Sequence, residues 1–252
     1  MISERAFAKS FLSFWQEFLP LLTPRFVGLF NEAYEKALID DNGEALTGVP
    51  LAAKTRPDIV AEFAFRGAQL LHESNRKTAT LLNAPEIVAE ASRRAFDVVQ
   101  RYEGTKPIAV QPLSLIELDE GLALAKNYEA LYRSFPSNAR IEFCPRFQGS
   151  GFLNAAEGDL GIDDTLIEIK TTTRKVSSKD LRQLITYLAL DSADGSPRWS
   201  HIGVFNPRRG TLHRAEVDAL LLRLSGGKPR VDVLADIVAF AQATDLVVDR
   251  TF

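Results

Sequence analysis

Two carboxylates and an ammonium stand close together in "EGDLGIDDTLIEIKTTT", which runs from Glu157 to Thr173. The stretch is dense in Leu, Ile and Thr, residues that suit β structure, where successive side chains point to opposite faces. If Asp163 and Asp164 form a two-residue hairpin turn, Ile162 pairs with Thr165, Gly161 with Leu166, Leu160 with Ile167, and Asp159 with Glu168. Residues opposed in this way have Cβ atoms roughly 5 Å apart, and like charges there repel. Lys170 shares a face with Glu168, while Ile167 and Ile169 turn to the other face and the core. One ammonium offsets part of the repulsion. A hard divalent cation such as Mg²⁺, which takes carboxylate oxygens, carbonyls and water, offsets the rest. The competing reading is a solvated hairpin carrying an ordinary Glu168–Lys170 surface pair.

The next segment favours the chemical reading. In "DLRQLITYLAL", Leu181, Leu184, Ile185 and Leu188 form an apolar stripe at helical spacing, and Gln183 and Tyr187, four apart, face the same way. A polar pair beside the core stripe points back toward the hairpin. Asp159, then Glu168-Ile169-Lys170, then Gln183-x-x-x-Tyr187 together resemble the PD-(D/E)XK nuclease superfamily, in particular its RecB-like branch with a QxxxY helix. The resemblance covers about residues 114–215, and Gly158 stands where many members have proline.

That resemblance implies an α/β, restriction-endonuclease-like core, a mixed central sheet flanked by helices. It implies that Asp159, Glu168 and the backbone carbonyl of Ile169 hold one or two Mg²⁺ ions, with Mn²⁺ as a substitute. Lys170 would orient the attacking water or neutralise the transition state, Gln183 would position water, lysine or phosphate, and Tyr187 would pack beneath it. The implied reaction is hydrolysis of DNA, with RNA also open, leaving a 5′-phosphate. Many members add an acidic residue from the helix before the first core strand. Glu117, Glu120 and Glu129 are the candidates, and each fits a solvated helix face equally well.

Several elements must position these residues. The chain has 252 residues, 46% of them hydrophobic, enough for a substantial core. Its character changes near residue 105. Before that point, segments such as "PDIVAEFAFRGAQLLHE" and "APEIVAEASRRAFDVVQRY" repeat apolar residues at helical spacing, with Pro57 and Pro85 near their starts. Residues 1–105 therefore read as an all-helical N-terminal region and residues 106–252 as the nuclease-like domain, joined by the Gly- and Pro-containing connector Glu103–Pro112. "LSLIELDEGLALAKNYEALYRSF" predicts a further helix. Strands are expected in "ARIEFCPRFQG", "EGDLGI", "TLIEIKTT", "WSHIGVFN" and "TLHRAEV". The opening "MISERAFAKSFLSFWQEFLPLLTPRF" is interrupted by charges and reads as core-packing helix, neither signal peptide nor membrane span.

Net charge is −3, but its distribution is uneven. Residues 1–132 carry 14 basic and 18 acidic side chains, residues 133–230 carry 15 and 11, and residues 231–252 carry 1 and 4. The positive balance coincides with the motif, the sign that a phosphate-binding face needs. Thr171 to Thr173, Arg174 and Lys175 follow the candidate strand and suit phosphate contacts, as do Arg208 and Arg209 in "NPRRG" and, more weakly, Arg146. A strand end and charged loop explain residues 171–175 equally well, and a solvated turn is the more common role for arginines such as Arg208 and Arg209. Cys144 reads as a buried strand residue, and His72, His201 and His213 show no ligand pattern. One cysteine excludes an internal disulfide and fits a reducing cytoplasm. No GxxxxGK[ST] occurs, so any unwinding needs a helicase or ATPase partner, as in a repair, restriction or phage-defence system. Two rival readings are a catalytically silent nuclease-fold subunit that binds nucleic acid or a partner protein, and a helical interaction protein in which the hairpin motif is coincidental.

Overall fold

The computed structural model describes residues 1–103, 111–195 and 197–243. Most of the expected connector and the boundary at residue 105 lie outside them. The architecture is α/β, a six-stranded mixed sheet with helices on both faces.

The hairpin forms as its alternation dictates. β5 (Leu160–Ile162) and β6 (Thr165–Ile169) pair antiparallel, Leu160 with Ile167, Gly161 with Leu166 and Ile162 with Thr165. Asp163 takes the positive φ of 50° that the tight turn requires, and its Oδ1 accepts the Arg140 N–H at 2.8 Å. Asp164 faces Ser200, His201 and Arg214. These turn aspartates are structural.

Around the hairpin the strand order is β1 (Glu35–Ala37), β8 (Thr211–Glu216), β7 (His201–Asn206), β6, β5 and β2 (Ile141–Phe143). Only β6 and β7 run parallel, joined by the crossover helix α7 (Ser178–Ala193). A separate two-stranded piece, β3 (Arg146–Phe147) with β4 (Ala156–Glu157), precedes β5. The expected strand Glu157–Ile162 is thus broken at Gly158 and Asp159. There the Gly158 N–H bonds to the Pro145 carbonyl, and Cys144 N–H to that of Asp159. Cys144 itself lies just past β2, half-buried and with φ at 55°, not within a strand.

One apolar layer packs α7, α8 (Val217–Leu224) and α9 (Arg230–Ala243) on the sheet with α1 (Glu4–Ser10), α2 (Leu12–Phe18) and α3 (Pro24–Tyr34). On the opposite face lie α4 (Pro57–Glu73), α5 (Pro85–Glu103) and α6 (Leu115–Arg133). Leu166 enters the first layer and Ile167 the second, so Glu168 and Lys170 face α7. The first 103 residues hold five α-helices, a 3-10 turn, an irregular stretch over 38–56, and strand β1, which extends the common sheet. Their side chains enter both cores.

Gly161 is required by a close approach. A Cβ there would meet Cη2 of the buried Trp199 at 2.5 Å. Gly161→Ala is expected to destabilise the fold by about 1–3 kcal/mol through overpacking, read as a lower midpoint of denaturant unfolding. Among the described residues, no helix is long and apolar enough to cross a membrane.

Candidate active site

Glu168 is the most buried charge-bearing residue of the motif, at 1% exposure. Its carboxylate sits 2.6 Å from the Lys170 ammonium, which in turn donates to Gln183 Oε1 at 3.0 Å. Asp159 lies beside the pair, with its Oδ2 accepting the Ile169 N–H at 2.7 Å. That bond extends the hairpin by a side chain where the backbone ladder stops, and it fixes the carboxylate at the carboxyl end of β6. Burial first, then the Asp159 charge, pushes the Glu168 carboxyl up to about 7 against the opposing pull of Lys170. The ladder ends at Leu160 and Ile167, so Asp159 is held near Glu168 by its bond to the Ile169 N–H and not by the strand pairing that the sequence predicts.

Helix α7 supplies the other half. A capping box starts it, with Asp180 Oδ2 accepting the Ser177 N–H at 2.8 Å. Leu181, Leu184, Ile185 and Leu188 are all buried. Gln183 and Tyr187 share the face toward β6, joined by a 3.0 Å bond from Gln183 Nε2 to the Tyr187 hydroxyl. Tyr187 stacks on Phe147 at 5.1 Å. Burial, with the Glu168 and Glu4 charges, holds its hydroxyl well above the ordinary value, so it stays protonated.

Asp159, Lys170 and Gln183 border a cleft of about 370 Å³, with Glu168 and Tyr187 buried behind them. Asp159, Ile169, Lys170 and Gln183 line one side, and Phe65, Val98 and Val99 form an apolar wall opposite. Two acidic contributors come from helices that the sequence pattern leaves unmarked. Glu62 on α4 faces the cleft; its carboxyl is raised by burial and by Asp159 against the counteracting Arg66, which approaches to 3.5 Å. Glu4 on α1 reaches Gln183 and Tyr187, both at 3.3 Å. A carboxylate on an amphipathic helix gives no signal until its buried neighbours are known.

The three helix glutamates named from sequence are absent from the cleft lining. Glu117 caps α6 and is bonded by Arg56, whose hydrogen bonds hold its carboxyl down at about 2. Glu120 forms a buried pair with Arg208 at 2.5 Å. Glu129 lines a separate depression beside the 40–50 loop. Arg208, only 3% exposed, also donates to the carbonyls of Val49 and Pro50, so it is a fixed structural cation with no face for a phosphate. Its turn places the guanidinium inward.

Arg209 and Lys175 share Glu35 as partner. Arg174 lies at the cleft, paired with Asp180. Thr171 and Thr172 also line it. Arg146 is exposed beside Glu157, remote from the cleft lining. His201 contacts Asp164, His213 contacts Asn31, and His72 packs against Tyr132 and Phe143.

Among the described residues, no three His, Cys, Asp or Glu side chains gather closely enough to enclose a metal ion. The cleft lining mixes the carboxylates of Asp58, Glu62, Asp159 and Asp180 with the cations Arg5, Lys170, Arg174 and Lys179 and the Gln183 amide, and Glu168 is buried against Lys170. A hard cation suits this donor set, because the repulsion that raises Glu168 is relieved when positive charge enters. Comparison of the sequence with protein-family models and with curated proteins finds no match.

Proposed function

We propose that this chain is a divalent-metal-dependent nuclease of the PD-(D/E)XK type, close to the RecB-like branch, that hydrolyses DNA phosphodiester bonds. The observation that carries this reading is that Asp159, Lys170 and Gln183 line one cleft while Lys170 bridges Gln183 to Glu168, which is buried just behind the lining. The restriction-endonuclease-like assignment is supported by the mixed sheet and by the α7 crossover between β6 and β7.

Asp159 and Glu168, with the Ile169 carbonyl, would hold Mg²⁺ or Mn²⁺, and Glu62 stands near enough to Asp159 to raise the local negative field. When bound, the ion supplies an acidified water and a counter-charge to the phosphate. Two side-chain carboxylates leave the remaining coordination to backbone oxygen, water and phosphate, which suits a cation that keeps several waters. Lys170 places a fixed ammonium where negative charge develops on the phosphoryl oxygens. Gln183 holds that ammonium by its amide oxygen and keeps it directed into the cleft. Arg174 and the Thr171 and Thr172 hydroxyls at the cleft suit the flanking backbone. RNA is a second substrate to test, and any unwinding or translocation would come from a helicase, ATPase or other partner. Repair, restriction or phage defence in the cytoplasm is the proposed setting.

Supercoiled, linear and single-stranded DNA, each incubated with Mg²⁺, Mn²⁺ or EDTA, test the reading. Cleavage that EDTA abolishes supports it. No cleavage by a folded protein under any condition leaves the alternative of a silent nuclease-fold subunit, a reading favoured by the absence of a three-ligand cluster among the described residues.

A pH dependence follows from Glu168. Between the ordinary carboxyl value of 4.5 and about 7, the folded protein keeps a proton that the unfolded chain has released. Stability from this group is therefore present at low pH and lost as pH rises through that window. Without divalent cation, the unfolding midpoint is expected to fall between about pH 5 and pH 8, and Mg²⁺ is expected to restore it mainly at the upper end. Differential scanning fluorimetry reads both effects, and Glu168→Gln should remove them.

A further inference from the structure

We propose that Glu4 is a positioning residue of the cleft, fixing the Gln183 amide so that its oxygen faces Lys170. The proposal rests on the nuclease reading for its kinetic consequence, though the geometry stands apart from it. Glu4 Oε1 lies 3.3 Å from Gln183 Nε2 and 3.3 Å from the Tyr187 hydroxyl. Gln183 Nε2 also donates to Tyr187 at 3.0 Å, and Gln183 Oε1 accepts from Lys170 at 3.0 Å.

An ionised carboxylate has no proton to give, so both neighbours must donate to it. Gln183 turns its nitrogen to Glu4 and therefore its oxygen to Lys170. Tyr187 sends its proton to Glu4 and leaves an oxygen lone pair for Gln183; its other acceptor, the Glu157 carbonyl, is farther away at 3.4 Å. Every donor in the series has one direction. Without Glu4 the amide is free to turn over, its NH₂ group then facing the ammonium, donor against donor. Lys170 would keep Glu168 alone.

The helix that carries Glu4 is held in place by its own packing. Ser3 caps it, and Phe7 and Ala8 are fully buried on the next turn. Arg182 on α7 donates to the Ala8 carbonyl at 3.0 Å, and Trp15 Nε1 to that of Phe7 at 3.1 Å. Before the helix, Ile2 bonds in both directions to the Phe152–Asn154 segment. Glu4 is 12% exposed, its carboxylate directed inward beside Arg5.

The test uses the full chain with Mg²⁺ and a labelled DNA oligonucleotide, comparing wild type, Glu4→Ala, Glu4→Gln, Gln183→Ala and the Glu4→Ala/Gln183→Ala double variant. In parallel, acetic anhydride labelling of Lys170 in metal-free protein is followed by mass spectrometry. Glu4→Ala is expected to lower kcat roughly 10- to 100-fold with KM changed less than about threefold, since a positioning bond acts on the transition state. Glu4→Gln, whose amide oxygen can accept from the same donors, is expected to recover most of the loss. In the Gln183→Ala background the Glu4→Ala change should add little. Lys170 should label about threefold faster or more in Glu4→Ala, because one of its two hydrogen bonds has loosened.

Unchanged labelling and kcat in Glu4→Ala overturn the proposal, as does an equal Glu4→Ala loss in the Gln183→Ala background. If wild type cleaves no DNA, the nuclease reading fails and labelling alone decides, faster labelling supporting the Glu4 role and unchanged labelling overturning it. Should Glu4→Ala not fold, Glu4→Asp, one methylene shorter, carries the same comparisons.

Discussion

Lys170→Met is expected to reduce Mg²⁺-dependent DNA cleavage by about 10³-fold, measured as kcat on a labelled oligonucleotide, with the melting temperature near that of the wild type. The methionine fills the same space without the charge. Lys170 donates directly to Glu168, and its ammonium also holds Gln183. Removing it takes positive charge from the point where a phosphate would gain negative charge, and it leaves the Gln183 amide without its donor. Glu168→Gln should be equally inactive, yet more stable than wild type at pH 8 in the absence of metal, because the charge that burial and Asp159 oppose is gone. Inactivity together with increased stability marks a group kept for chemistry. If Lys170→Met cleaves at the wild-type rate, the assignment of this lysine is wrong whatever else the cleft does.

The second large effect concerns the Glu120–Arg208 pair. Both groups are buried, and Arg208 ties the Val49–Pro50 segment to α6 while Glu120 accepts the Ala52 N–H at 3.3 Å. Glu120→Ala leaves a guanidinium stranded in the core, and a loss of about 3–5 kcal/mol in unfolding free energy is expected. Glu120→Gln/Arg208→Met, which removes both charges, should recover much of that loss. Denaturant unfolding measures each step. DNA affinity of the folded double variant is expected to match wild type, which separates the structural role of Arg208 from the phosphate contact its sequence context suggested.

The hairpin was legible because its signal is local. Alternation from Leu160 to Lys170 sets the faces, and two adjacent aspartates set the register. The α7 stripe was equally local. Strand β1 could not be read: "EKA" has no apolar pattern of its own and becomes a strand because β8 offers it an edge. Arg208 sits in a Pro- and Gly-flanked turn that reads as exposed, and only the arrival of α6 and the 49–50 carbonyls buries it. Glu62 and Glu4 were hidden for the same reason, since their meaning lies in residues far away along the chain. The composition change near residue 105 does not register that side chains before it enter both cores.

The bond from Gln183 to Glu4 spans 179 positions of sequence. During synthesis Gln183 leaves the ribosome 179 residues after Glu4. Until then the cleft lacks its amide, its tyrosine and the helix that α1 packs upon. Closing so long a loop places final assembly among the slow, topology-limited steps of folding. A growing or prematurely terminated polypeptide that stops short of α7 therefore holds only part of the cleft.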